Sequence, residues 1–396
     1  MKKRIDEIEN LRDLCTGCMA CVAVCPKGCV KSTVGADGFR YSEISDSYCI
    51  RCGKCFSVCP IENERKNKGI QHLYAVYARD NVVHNSGSSG GVFELLAKHF
   101  LSNGYAVSGA AFDGIELRHK IIHSQEELPA LLKSKYLQSD TTDIYDEIFS
   151  LLKQGKKLFF CGTPCQVAAL KNAIPESDRE RLFTADIICH GVPSQKTFDM
   201  YIRSLEEKEG GTVSDFSFRV KDNKYRHAHG YSYHTKKNGK KKTVNGIYLQ
   251  SSYYNAFKKY LLFRESCYTC RYATLERVSD ITLGDFWGIE KYPFEADTDK
   301  GVSMVITNTV AGENAFETIV NDTIYKEFPI EYGVESNYCL TKATKKPLKR
   351  DEVVKCLNSK GYEETARTYF KCTVMEKLYV MLPSWVRNIR KKLRKR

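Results

Sequence analysis

The sequence predicts a multidomain chain of mixed α+β and α/β class: a small cysteine-rich domain over residues 1–68, a mixed α/β domain over 69–345, and a basic helical tail over 346–396. Three observations carry that expectation. The spacing C-x2-C-x2-C-x3-C-P occurs twice near the N-terminus, strand-like and helix-like patterns alternate through the middle, and nearly all of the net charge of +13 falls at the C-terminal end.

The first run reads CTGCMACVAVCP from Cys15 and the second CIRCGKCFSVCP from Cys49. This is the spacing of bacterial two-cluster ferredoxins, in which three cysteines of each run hold one cubane and the fourth crosses to the other. It assigns Cys15, Cys18, Cys21 and Cys59 to one [4Fe-4S] cluster and Cys49, Cys52, Cys55 and Cys25 to its neighbour. Short x2 spacings wrap the backbone around a cube face and turn thiolates and peptide N–H groups toward the same sulfurs. Zinc ribbons use paired CxxC motifs instead. Between the runs, VKSTVGADGFRYSEI alternates around Ala36-Asp37-Gly38 and predicts a hairpin. Cys29 falls outside the ligand spacing and reads as a small buried thiol. The polar stretch IENERKNKG predicts a linker.

Beyond it, HLYAVYAR reads as a strand, NSGSSGG as a loop and VFELLAKHFLSNG as a helix with Val92, Leu95, Leu96 and Phe100 at helical period. Glycines and serines before a helix suit either an anion such as a pyrophosphate or a plain turn with a serine cap, and both readings stand here. YAVSGAAF, KLFFCG and LFTADIIC then read as strands, and QEELPALLKS, TTDIYDEIFSLLKQG, QVAALKNAI and TFDMYIRSLEEKEG as helices. Such alternation predicts a largely parallel sheet, whose ligands collect at the strand C-termini. Two of those loops carry cysteine, Cys165 in GTPC and Cys189 in CHGVP. From about residue 213 the texture becomes antiparallel, followed by a helix in SSYYNAFKKYLLF, the CYTC turn with Cys267 and Cys270, the stretch SDITLGDFWGI and the strand GVSMVITNT.

Composition excludes some functions. Eight of the seventeen cysteines are used by the two runs, which need reduced thiolates, so a reducing cytoplasm is expected. The charged N-terminus has no apolar signal region, and no run of about eighteen apolar residues occurs, so neither export nor membrane spanning is expected. Residues 341–396 carry seventeen Lys/Arg against five Asp/Glu, which leaves the first 340 residues close to neutral and argues against nucleic acid as a partner.

The ordered set GSSGG, SKYLQS, GTPCQ, CHGVPS, CYTC and GDFWG, after a twin-cluster module, resembles the coenzyme F420 hydrogenase/dehydrogenase β-subunit family over about residues 1–340. The resemblance implies a flavin-binding α/β domain in an iron-sulfur flavoprotein oxidoreductase. Its FAD would exchange electrons between the clusters and a two-electron (hydride) reduction or oxidation of a deazaflavin-like or other organic substrate. It places the flavin near Ser88, Ser89, Gly90 and Gly91, near Lys135, Tyr136, Gln138 and Ser139, and near Asp285, Trp287 and Gly288. By residue chemistry, the set Cys165, Cys189, Cys267 and Cys270 suits a third [4Fe-4S] cluster or a four-thiolate zinc, and the resemblance favours the cluster. Where the family carries an Asp-Lys pair and soon a Gly-Trp, this chain reads SFRVKDNKYRHAHGYSYH, which leaves the substrate open. His227, His229 and His234 there suit a solvated strand better than a metal site. His190 reads as packing beside a ligand, Cys161 as core, and Cys339, Cys356 and Cys372 as structural. No catalytic acid is assigned.

In the tail, residues 350–369 suit a helix, and WVRNIRKKLRKR suits a last basic helix that either lies on an anionic membrane surface or frays in solvent. Expected partners are therefore a redox protein or reduced ferredoxin, a small organic substrate, and peripherally the inner face of the membrane. The alternative is an electron-transfer adaptor subunit of a larger complex with no substrate of its own, attached to membrane-surface polysaccharide assembly.

Overall fold

The two cysteine runs share one backbone solution in the computed structural model, which describes residues 2–64, 66–67, 69, 71–221, 230–373 and 376. A short helix α1 (Leu11–Leu14) leads into the first run, whose second half forms α2 (Ala20–Ala23); the second run forms α3 (Lys54–Ser57). Ahead of α2 the chain turns left-handed at Gly17 (φ +68°) and Met19 (φ +56°), and ahead of α3 at Arg51 (φ +49°) and Gly53 (φ +76°). These are the same two places in each motif. Each run keeps a glycine at only one of them and bears a left-handed cost of roughly 1–2 kcal/mol at the other. Between them β1 (Val30–Val34) and β2 (Arg40–Ile44) pair antiparallel, as the hairpin pattern predicts, with Gly38 at φ +80° in the turn.

The middle of the chain lays down β3 (His72–Ala78), α4 (Asn81–Ser86), α5 (Val92–Ser102), β4 (Tyr105–Asp113), β5 (Glu116–Ile122), α6 (Ile144–Lys153), β6 (Lys157–Gly162), α7 (Pro164–Ala173), β7 (Leu182–Ile187) and α8 (Gln195–Glu209). An antiparallel three-stranded sheet follows, made of β8 (Thr212–Val220), β9 (Gly230–Lys237) and β10 (Lys240–Ile247). After it come α9 (Ser252–Lys258), β11 (Ile281–Asp285), β12 (Ser303–Thr307), α10 (Val310–Glu317), β13 (Thr323–Phe328), α11 (Ile330–Ser336) and α12 (Arg350–Tyr369).

The large sheet has the order β13-β3-β12-β11-β7-β6-β4-β5 and is mixed. Only β4, β6, β7 and β11 run parallel to their neighbours within this set; β5, β12, β3 and β13 pair antiparallel. The expectation of a largely parallel sheet is corrected accordingly. The two residues between β4 and β5 allow only a hairpin, since a parallel crossover needs a dozen or more. The expected helix at QEELPALLKS is likewise a 3-10 turn over Gln125–Ala130, with Pro129 inside it.

By compactness the chain divides into two units, Met1–Lys196 with Phe263–Lys345, and Thr197–Leu262 with Lys346–Arg396. In the first, residues alternate across the sheet: Leu158 and Phe160 of β6 pack with α6 and α7, and Phe159 packs with Phe100 and Phe183 on the opposite face. Cys18, Cys21, Val30, Cys55 and Cys59 belong to the same buried cluster as Leu158, Ile148 and Val167. The cysteine-rich segment therefore shares a core with the sheet. The second unit is built on packed aromatics, Phe198, Tyr201, Phe216, Phe218 and Tyr253, which meet mostly edge to face, with Tyr201 stacked on Tyr253. Its β9–β10 turn uses Asn238 and Gly239, both at positive φ, as a two-residue hairpin requires. Helix α12 has the predicted bounds and is broken at Gly361 (φ +78°). Among the described residues no helix is long and apolar enough to cross a membrane. His227, His229 and the expected basic helix after Pro383 lie outside the described residues.

Candidate iron-sulfur and flavin sites

The twelve cysteines that spacing and resemblance single out as ligands fall, by their surroundings, into three sets. Burial pushes the thiols of Cys18 and Cys59 up to about 12; the charge of Cys15 contributes to both rises, that of Cys165 to the rise of Cys18 and that of Cys18 to the rise of Cys59. Cys21, also raised by burial, has Cys18, Cys15 and Cys59 as its charged neighbours. That is the first predicted quartet. In the second, Cys55 is raised by burial and then by Cys52 and Cys25. Cys25, Cys49, Cys52 and Cys55 line one cavity of about 340 Å³, a figure that includes space open to solvent. Cys29 lines it too, its sulfur 3.3 Å from that of Cys25. The third set is linked through Cys189. Cys189 is held well above its ordinary value by burial and then by Cys267, Cys165 and Cys270, and burial brings Cys165 to about 11 and Cys267 to about 12.

Peptide N–H groups are directed at nine of these twelve sulfurs. They donate to Cys15 from Gly17 at 3.4 Å, to Cys18 from Ala20, to Cys25 from Val30, to Cys55 from Ile5 and Phe56, and to Cys59 from Ile61 and Glu62. In the third set the donors are Gln166 to Cys165, Gly191 to Cys189, Val192 to Cys267, and Tyr272 with Ala273 to Cys270. Cys161 and Cys339 receive none. Backbone dipoles aimed at sulfur stabilise thiolate over thiol and tune a bound cluster. Cys165 also stands in the first turn of α7, where the helix dipole favours a thiolate. Among the described residues no three His, Cys, Asp or Glu side chains close around a single metal ion, so the sets rest on shared surroundings and spacing.

Two buried arginines flank the third set, and sequence reasoning missed both. Arg277 donates to Asp186 at 2.7 Å with both side chains nearly inaccessible, at 2 and 0 %, and its charge opposes the rise of Cys270. Arg264 donates to the Cys15 carbonyl at 2.5 Å, to that of Arg40 at 2.7 Å and to Gln138 Oε1 at 3.2 Å. The only signal in the sequence was the basic residues on either side of CYTC.

The three loops assigned to the flavin gather at one end of the large sheet. Ser134 donates to Ser88 Oγ at 2.6 Å, the Gly90 N–H donates to Ser303 Oγ at 2.9 Å, and Ser303 pairs across the sheet with Asp285. Individual side chains are engaged elsewhere. Lys135 donates to the carbonyls of Leu132 at 2.7 Å and Leu131 at 2.9 Å, and burial lowers its ammonium to about 7. Gln138 Nε2 donates to the Thr16 carbonyl at 2.8 Å. Ser139 is buried, donates to His119 Nδ1 at 2.8 Å and accepts from Gln166 at 3.0 Å. A side chain on Gly90 would collide with the Val76 carbonyl, so packing alone requires glycine there. Gly91 and Gly288 are left-handed, and Trp287 is 47 % exposed. Tyr136 and Ser89 are half-buried. His190 Nδ1 lies 3.2 Å from Cys339 Sγ, and His234 meets Asp215 at 2.8 Å on β9.

Residues 155–332 match the family described as the C terminus of the coenzyme F420 hydrogenase/dehydrogenase beta subunit, and residues 14–63 match the 4Fe-4S dicluster domain. The uncharacterized protein MJ1349 of Methanocaldococcus jannaschii is 29 % identical over 42 % of this chain; the chain spans about half of that relative, 54 %. A chain of the F420-reducing [NiFe] hydrogenase complex from Methanosarcina barkeri aligns with a TM-score of 0.44 and 18 % identity, covering 76 % of this chain and 92 % of its own. The two family matches therefore place a 4Fe-4S dicluster domain near the N-terminus and, over residues 155–332, a region similar to the C terminus of the coenzyme F420 hydrogenase/dehydrogenase beta subunit.

Proposed function

We propose that the chain is an iron-sulfur flavoprotein oxidoreductase. Cys15, Cys18, Cys21 and Cys59 hold one [4Fe-4S] cluster, Cys25, Cys49, Cys52 and Cys55 a second, and Cys165, Cys189, Cys267 and Cys270 a third. The observation that carries this reading is the set of backbone N–H donors directed at nine of these twelve sulfurs, all four of the third set among them, and absent at Cys161 and Cys339. The clusters supply one-electron transfer and the FAD supplies hydride exchange with a deazaflavin-like or other organic substrate. Residues 1–68 serve as the iron-sulfur module, 69–345 as the flavin domain, and 346–396 as the tail.

The convergence of the 88–91, 134–139 and 285–288 loops supports a flavin at that end of the sheet. Lys135 and Gln138, both engaged with protein carbonyls, favour a second reading: an electron-transfer subunit that docks on a redox partner and has no substrate of its own. Anaerobic purification with flavin quantified per chain separates the two. One FAD per chain, bleached on reduction of the clusters, supports the oxidoreductase; a chain fully loaded with iron and free of flavin supports the docking subunit.

A further inference from the structure

Arg264 is a buried cation with no carboxylate. Its residue is 1 % exposed, and its guanidinium lies 4.5 Å from the ring of Tyr41 and 5.1 Å from that of Phe39. Its N–H groups end on two carbonyls and one amide oxygen, all neutral acceptors. Among the described residues no Asp or Glu pairs with it. Arg277, equally hidden, has Asp186. An uncompensated buried charge costs several kcal/mol, so a negative partner is expected where the side chain ends. Arg264 joins two thiol sets: its side chain holds the carbonyl of Cys15 directly, and its own carbonyl accepts from the Cys267 N–H at 3.0 Å. Space beside it is also reserved, because a side chain on Gly17 would stand 2.5 Å from its Nη1.

We infer that the counter-charge of Arg264 is the pair of anionic clusters on either side of it, and that Arg264 raises the reduction potential of both. The inference rests on the cluster assignment proposed above. An added electron makes a thiolate-bound cluster more anionic, and a fixed cation favours that state; net charge and hydrogen bonding are among the levers on such potentials. The cluster of Cys25, Cys49, Cys52 and Cys55 has no comparable contact with Arg264 and keeps its potential.

The test is a potentiometric titration followed by electron paramagnetic resonance on the anaerobically purified full chain, with iron counted in each sample. Arg264→Met and Gln138→Glu both remove the free positive charge, the second by setting a carboxylate against it. Arg264→Lys retains charge and loses the fork. Arg264→Met and Gln138→Glu should each make reduction of two clusters at least tenfold less favourable, a fall of about 59 mV for one electron, and leave the remaining cluster unmoved. Arg264→Lys should stay near the wild-type midpoints. Unmoved midpoints in an iron-loaded Gln138→Glu protein overturn the inference, as does a tenfold fall in Arg264→Lys. Should Arg264→Met fail to fold, the other two variants decide. A wild-type protein without iron would instead defeat the cluster assignment.

Discussion

The Tyr272 hydroxyl donates to the carbonyl of Pro60 at 2.8 Å. The residue two beyond Cys270 is thereby fastened to the proline that ends the second cysteine run, and its own N–H donates back to Cys270. Beside it Arg271 donates to the Ile61 carbonyl at 2.6 Å. Burial pushes the Tyr272 hydroxyl up, and the charges of Cys165, Glu64, Cys18 and Cys270 act in the same direction. One aromatic residue thus holds the first and third sets in register. Tyr272→Phe removes one buried hydrogen bond and should cost about 1 kcal/mol. Tyr272→Ala should cost about 3–5 kcal/mol through the cavity it leaves. Denaturant midpoints of the iron-loaded proteins measure both, and equal midpoints for all three would remove Tyr272 from this role.

Asp186 and Arg277 form a pair with almost no solvent, and Thr282 donates to the same Asp186 oxygen at 2.7 Å. Breaking such a pair strands a buried charge. Asp186→Asn should destabilise the protein by about 3–5 kcal/mol, while Asp186→Leu with Arg277→Met together should cost much less than the single change. Urea unfolding of the three proteins gives the comparison, and additive losses would contradict it.

His119 is held neutral. Its Nε2–H donates to the Cys161 carbonyl at 3.2 Å, its Nδ1 accepts from Ser139, and burial lowers it from 6.5 to about 4. The unfolded chain binds a proton below 6.5 where the folded chain does not, so this stability is complete above 6.5 and is lost as pH falls toward 4. Between pH 7 and 5 the loss is on the order of 2 kcal/mol. His119→Gln should flatten the pH dependence by that amount; an unchanged slope in urea unfolding would exclude His119 as its source.

The cysteine runs were legible because ligand spacing is a local property, and the same holds for the hairpin of Val34 and Arg40 and for α12. Left-handed backbone at Met19 and Arg51 was hidden, since neither residue advertises it as glycine does. Strand direction was hidden as well: Leu73, Ala75 and Met304 are buried apolar residues whether their strands run parallel or antiparallel. Arg264 and Gln138 lie 126 positions apart and meet only through packing, so nothing around SKYLQS or FRESC indicates that one holds the other. Ser139 suited a cofactor by residue type, yet the fold gives its hydroxyl to His119 and Gln166.

The third cysteine set is the central claim, and an iron count on three proteins purified side by side tests it. Wild type should bind about twelve irons per chain, Cys161→Ser the same, and Cys165→Ser about eight, with four lost and no zinc in their place. About eight irons in wild type, or an undiminished count in Cys165→Ser, would contradict it.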